Sequence, residues 1–224
     1  GEPNAIGCTS HSHIGKNKPV LEYQSEILSF YPEVFSVSTE DYPLSRRLFM
    51  YTADESDNPL TSEFIEFALS DIGQTLVADV GFVAQKLKIE QPELPAHAPT
   101  EYLAKTSDAS RISLDFRFKV GSTELDNKAL RDIDRVMILL MNPDYRYHEI
   151  MLFGFTDSIG DESFNRSLSH SRAKIVAEKL QEKGVYPNLV MGFGEQLPIA
   201  SNESFVGRER NRRVEIWLKP SSNS

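Results

Sequence analysis

The pattern of apolar and polar positions changes character along the chain. Ile112, Leu114, Phe116 and Phe118 alternate with Ser113, Asp115 and Arg117, which predicts a strand with one buried face. After Gly121-Ser122-Thr123, Leu125, Ala129, Ile133, Val136 and Leu140 recur at steps of four and three. That spacing predicts an amphipathic helix ended by Asn142-Pro143. The run Glu149 to Phe155, EIMLFGF, is apolar at both alternating positions and suits an interior strand. Leu168, Ala173, Val176, Ala177 and Leu180 then mark a second long helix from about Phe164 to Lys183, with Gly184 placed for a left-handed cap. Val190 to Phe193 predicts a short strand, and Val214, Ile216 and Leu218, alternating with Glu215, Trp217 and Lys219, a closing one. The order strand, helix, strand, helix, strand, strand predicts an α+β sandwich with two helices on one face of a small mixed sheet.

Upstream, the stretch Gln91 to Ser110 combines three prolines with small and polar residues and no sustained period, which reads as a linker. The chain is accordingly divided into residues 1–92, a linker at 93–110 and a second domain at 111–220. In the first section Ala5 to Ser10 and Leu48 to Thr52 predict strands, and Ser62 to Val80 one helix with Phe64, Phe67, Ala68, Ile72, Leu76 and Val80 on a broad apolar face. So few strands in about 90 residues make a marginal core, so this section is expected to be part of something larger.

Composition excludes more than it identifies. A chain of 224 residues, 40% hydrophobic, has room for one ordinary core or two small ones. The formal net charge of -9 argues against nucleic acid, whose binding requires a basic surface that releases counterions. No segment approaches the roughly 20 apolar residues needed to cross a bilayer, and the first residues lack the signature of an export signal. The chain is therefore expected to be soluble, without a transmembrane segment. The single Cys8 makes no internal disulfide; beside His11 and His13 it falls short of a metal site for want of a fourth ligand. No metal and no cofactor are expected.

The candidate chemistry lies between the two long elements of the second half. GFTDSIG, from Gly154 to Gly160, places Asp157 where an interior strand emerges into a loop. Asn165, Leu168 and Arg172, three and four residues apart, share one face of the following helix. A further cation comes from Asn211-Arg212-Arg213-Val214-Glu215. Taken singly, Asp157 also reads as a cap for backbone amides and Arg172 as a solvated helix residue.

Together, GFTDSIG, NRSLSHSRA, GFGEQLPIASN and NRRVE resemble the OmpA-like family in order and spacing, over the stretch from Arg111 to Lys219. The resemblance implies non-catalytic binding of the peptidoglycan peptide stem, in particular its diaminopimelate residue. Asp157 would accept hydrogen bonds from the ligand ammonium and Arg172 would grip a carboxylate with its planar fork. Asn165 and the backbone near Leu168 would touch the stem, and Arg212 the ligand or its framing loop. For Arg213 a salt bridge to Glu215 or another surface acid is at least as good a reading as a ligand contact. Phe155 stands where the family usually carries His, which removes a polar neighbour of Asp157 but none of the charged groups. No nucleophile, acid–base pair or metal forms a coherent catalytic set, so no enzyme is expected.

Ala5-Ile6-Gly7, Tyr42-Pro43-Leu44-Ser45-Arg46, the run to Thr52 and FIEFALSDIGQTLVADVGFV resemble the final third of a PstS-type phosphate-binding protein. The resemblance implies a partial periplasmic-binding-protein-like α/β segment over residues 1–92, whose anion-coordinating loops mostly precede the part present. The resulting expectation is a wall anchor for a solute-binding module, in the periplasm and associated with the cell wall or outer membrane. The alternative is a periplasmic phosphate receptor, binding phosphate in a longer form of the chain, for which wall binding is secondary.

Overall fold

The computed structural model describes residues 13, 22–25, 28–53, 58–125 and 128–221. A five-stranded sheet organises the second half, in the order β3-β4-β7-β5-β6, with β3 at Ile89–Glu90, β4 at Ser110–Arg117, β5 at Glu149–Gly154, β6 at Leu189–Gly192 and β7 at Arg213–Lys219. Helix α5 (Ala129–Leu140) carries the chain from β4 to β5, and α6 (Glu162–Glu182) from β5 to its parallel neighbour β6. The first crossover leaves a gap between β4 and β5, and β7 fills it antiparallel to both. Ile112, Leu114, Phe116, Ile150, Leu152, Val214 and Ile216 face α5 and α6, meeting Ile133, Val136, Ala173, Val176 and Leu180 in the main core. This is the α+β arrangement that the periodicities predict. Gly184 ends α6 at φ 82°, as its cap position requires.

The strand last in sequence is thus central in space, and both of its faces are buried. The polar positions of β4 are buried as well: Arg111, Ser113, Asp115 and Arg117 do not form the solvent face that their alternation suggests. They are covered from two sides. Tyr102, from helix α4 (Thr100–Thr106), sits edge-on to Phe153, Phe155, Phe193 and Trp217 at centroid distances of 5.4–6.0 Å. Segment 35–43 covers the other end, including part of α1 (Val34–Ser38) and the buried Thr39 and Asp41.

The expected linker is corrected accordingly. Residues 93–110 contain α4, and Ala98, Tyr102 and Ala109 belong to the second apolar cluster. Three prolines concealed a helix that begins directly after one of them, Pro99.

The first section differs from its reading in two places. Leu48 to Thr52 is exposed and carries no strand. The single helix expected over Ser62–Val80 is two, α2 (Pro59–Leu69) and α3 (Asp71–Asp79). Ser70 between them is extended, and its hydroxyl accepts from Gly73 N at 3.2 Å to cap α3. A Cβ on Gly73 would lie 2.1 Å from Phe67 O, so only glycine allows the first turn of α3 to fold so tightly on α2. Phe64, Ile72 and Val80 are more than 60% exposed, so much of the broad apolar face lies open among the described residues. Strands β1 (Glu22–Ser25) and β2 (Leu28–Phe30) form a separate antiparallel pair. The strand expected at Ala5–Ser10, with Cys8 and His11, lies outside the described residues. Among the described residues no helix is long and apolar enough to cross a membrane.

Candidate functional site

The carboxyl ends of β4 and β5 and the amino end of the antiparallel β7 meet at one end of the sheet. Phe118, Thr156-Asp157 and Arg212 therefore emerge side by side, and the start of α6 closes over them. Two glycines set how closely α6 approaches. A Cβ on Gly154 would lie 2.0 Å from Ser169 O, and one on Gly192 would lie 2.4 Å from His170 N. Helix α6 rests directly on the strand backbones at these points. Asp161 starts the helix by accepting from Phe164 N at 2.9 Å. The buried face then presents Asn165, Ser169 and Arg172 toward the sheet, with Leu168 half-buried at its margin.

Asp157 is 7% exposed, and its Oδ2 accepts from Arg212 Nη1 at 2.8 Å while Oδ1 accepts from Ile159 N at 3.2 Å. Arg212 also donates through Nε to Phe118 O at 3.2 Å. The ion pair of Asp157 is therefore made with Arg212. Its second oxygen plays the backbone-capping role that was the alternative reading. Arg172, 1% exposed, donates to Ser122 O at 3.1 Å and to Lys119 O at 3.4 Å, with its guanidinium 5.4 Å from the Phe118 ring centroid. It is not a solvated helix residue. Burial, reinforced by neighbouring Arg212 and opposed by Asp157, pulls its pKa down to about 10.

Three buried polar atoms around this cluster have no partner among the described residues: Arg172 Nη1, Asn165 Oδ1 and Thr156 Oγ1. Such atoms cost stability where they stand and mark where a ligand group would be satisfied. Asn165 is held in place through its amide nitrogen, which donates to Glu195 Oε2 at 2.7 Å. Glu195, from the GFGEQLPIASN block, was not singled out from sequence. Asn202 of the same block accepts from Ser158 N at 3.2 Å and from Asn211, bracing the loop that follows Asp157.

Arg213 and Phe155 belong elsewhere. Arg213 is fully buried, pairs with Glu215 at 2.8 Å and donates to Leu197 O at 3.1 Å. Its guanidinium lies 3.9 Å from the Phe155 ring centroid, and Phe155 stacks on Phe193. The position of Phe155 thus serves the aromatic cluster on the other face of the sheet.

That face holds a second set of buried charges. Glu215 accepts from Arg213, from Tyr102 Oη at 2.7 Å and from Trp217 Nε1 at 3.0 Å. Burial works to raise its pKa, but Arg111, Arg213 and these hydrogen bonds hold it down at about 2. Asp115, directly opposite Glu215 in the β4–β7 register, is pushed up to about 6 by burial despite two bonds from Arg111 Nη2 at 2.8 and 2.9 Å.

Residues 117–212 match the OmpA family. Outer membrane porin F of Pseudomonas fluorescens is 33% identical over 118 residues, covering 52% of this chain and 36% of that protein. The peptidoglycan-binding protein ArfA of Mycobacterium bovis is 46% identical over 76 residues, 33% of this chain and 22% of that one. The chain thus spans well under half the length of these curated relatives. Among solved structures, the peptidoglycan-associated lipoprotein from Burkholderia pseudomallei aligns with TM-score 0.44 at 20% identity, over 47% of this chain and 89% of that one. The match begins at the last residue of β4 and ends just before β7, and so includes the whole of the site described above. The likeness to the OmpA family is carried by residues 117–212.

Proposed function

We propose that this protein binds the peptide stem of peptidoglycan, through its diaminopimelate residue, and thereby anchors its front section to the cell wall without catalysing a reaction. The observation that carries this reading is the buried cluster of Asp157, Arg172 and Arg212 with its unpartnered Arg172 Nη1 and Asn165 Oδ1. A zwitterionic ligand matches it. A ligand carboxylate would take Arg172 Nη1, and a ligand ammonium would donate to Asp157 and to Asn165 Oδ1. A two-pronged grip by Arg172 requires the backbone at Lys119–Ser122 to release one of its present bonds. Leu168 gives the stem an apolar contact, and Arg212 keeps Asp157 oriented. The printed names of the relatives agree in kind, one being a peptidoglycan-binding protein and another an outer membrane porin. A periplasmic setting at the wall or outer membrane accompanies the reading.

The phosphate-receptor alternative draws on residues 1–92 alone. The family match begins at residue 117, and the described part of the front section carries two short helices with exposed apolar faces. The wall-binding reading is therefore the one to test. Purified peptidoglycan should pull down the protein, and Asp157→Ala or Arg172→Ala should abolish capture. Loss of one partner of a charge-assisted pair costs on the order of 2–5 kcal/mol, well within reach of such an assay. Capture of both variants at the wild-type level would overturn the site.

A further inference from the structure

The front section meets the sheet where it borders the site. Arg117, the last residue of β4, donates to the carbonyl of Arg210 and, at 2.5 Å, to the carbonyl of Thr39. Its Nη2 also lies 3.4 Å from Asp41 Oδ1, and the other oxygen of Asp41 lies 3.4 Å from Arg111 Nη1. Arg210, on the short helix α7 (Phe205–Asn211), donates to the carbonyl of Pro43. Thr39 and Asp41 are buried, and Phe35 lies under the Arg111 guanidinium at 5.6 Å. Segment 39–43 thus ties β4 to α7.

Both tied points adjoin site residues. Arg117 precedes Phe118, whose carbonyl accepts from Arg212 and whose ring lies under Arg172. Arg210 stands two residues before Arg212. The charge count shows why an acid is needed here. On this face the guanidiniums of Arg111 and Arg117 share Asp115, and Arg111 and Arg213 share Glu215, which leaves three cations against two carboxylates. Asp41 supplies the third negative charge, against Arg111 and Arg117; without it a buried guanidinium loses a partner.

We propose that Asp41 and the turn it secures are a positioning element of the binding site, so that ligand affinity depends on the front section as well as on the OmpA-like part. The inference rests on the wall-binding reading above for its ligand and on geometry for its coupling. It is tested in the full chain with Asp41→Ala, the isosteric Asp41→Asn and the conservative Asp41→Glu, by co-sedimentation with peptidoglycan and by amide hydrogen exchange. The Ala and Asn variants should bind roughly 2- to 30-fold more weakly, the range expected of changes that act through a network. Exchange should quicken at residues 118–122 and 210–213 while α5 and α6 stay protected, and Asp41→Glu should recover part of the affinity. Unchanged affinity and exchange would overturn the proposal, as would loss of protection spread evenly over α5 and α6. If Asp41→Ala does not fold, Asp41→Asn decides. If the wild-type protein does not bind peptidoglycan, the functional reading fails, while the ligand-free exchange pattern still decides the coupling.

Discussion

Two clusters of buried charge lie on this sheet, and they are built to different ends. On the face covered by α4 and segment 35–43, three arginines (Arg111, Arg117, Arg213) meet three carboxylates (Asp41, Asp115, Glu215), and Tyr102 and Trp217 complete the shell of Glu215. At the end of the sheet, Arg172 and Arg212 share only Asp157 within the cluster, and three polar atoms around them are unpartnered. The first is balanced in charge, three against three, and holds the fold, although Arg111 Nε and Arg213 Nη1 are buried in it without a partner among the described residues. The second carries two guanidiniums against one ion-paired carboxylate, and that surplus cation suits a place kept for a ligand carboxylate.

The contrast breaks most forcefully at Glu215. Glu215→Gln should lower stability by about 3–5 kcal/mol, because it leaves buried guanidiniums uncompensated. The pH dependence has a definite sign. Glu215 is depressed to about 2 from an ordinary 4.5, so its contribution is complete above pH 4.5 and is lost as pH falls toward 2. Denaturant titrations should therefore show the deficit of the variant shrinking in acid; a constant deficit would mean that packing, and not charge, is at stake. Arg172→Met should do the reverse. Peptidoglycan capture should disappear, a loss of about 2–5 kcal/mol in binding, while the melting temperature holds or rises, since an apolar side chain of similar length removes an orphaned donor and its repulsion with Arg212. A large fall in stability would show that Arg172 belongs with the first cluster.

Gly154→Ala tests the seat shared by both. Its Cβ would meet Ser169 O at 2.0 Å, so α6 must lift, at a cost of about 1–3 kcal/mol by thermal melting, and binding should weaken with it. The smallest effect is expected at Thr156→Val. The hydroxyl there is buried without a partner, so its loss should leave stability unchanged or raise it by up to about 1 kcal/mol in the same melts. A clear loss would show that the hydroxyl already has a role in the free protein.

These sites also mark how far the sequence could be read. The α5 and α6 stripes and the interior run at β5 were legible because apolar period alone fixes them, and the motif blocks brought Asp157, Asn165, Arg172 and Arg212 to one place. Their pairing was not legible. Arg172 spends its bonds on the carbonyls of Ser122 and Lys119, and a backbone acceptor leaves no mark in sequence. The polar sides of β4 and β7 read as solvent faces because Asp, Arg and Glu alternate there as they would on a surface. Their cover comes from Tyr102 and from Asp41, the latter 70 residues before Arg111. Helix α4 was hidden by the prolines around it, and the break at Ser70 by an apolar stripe that continues across the cap.

Trp217 is the only tryptophan in the chain, and it sits inside the balanced cluster with its indole N–H on Glu215 and its ring edge-on to Tyr102. Light absorbed selectively by indole therefore interrogates one location, the covered polar face of the sheet. Its emission colour should follow the ionisation of Glu215 and the seating of α4, giving an optical signal for this cluster in unlabelled protein.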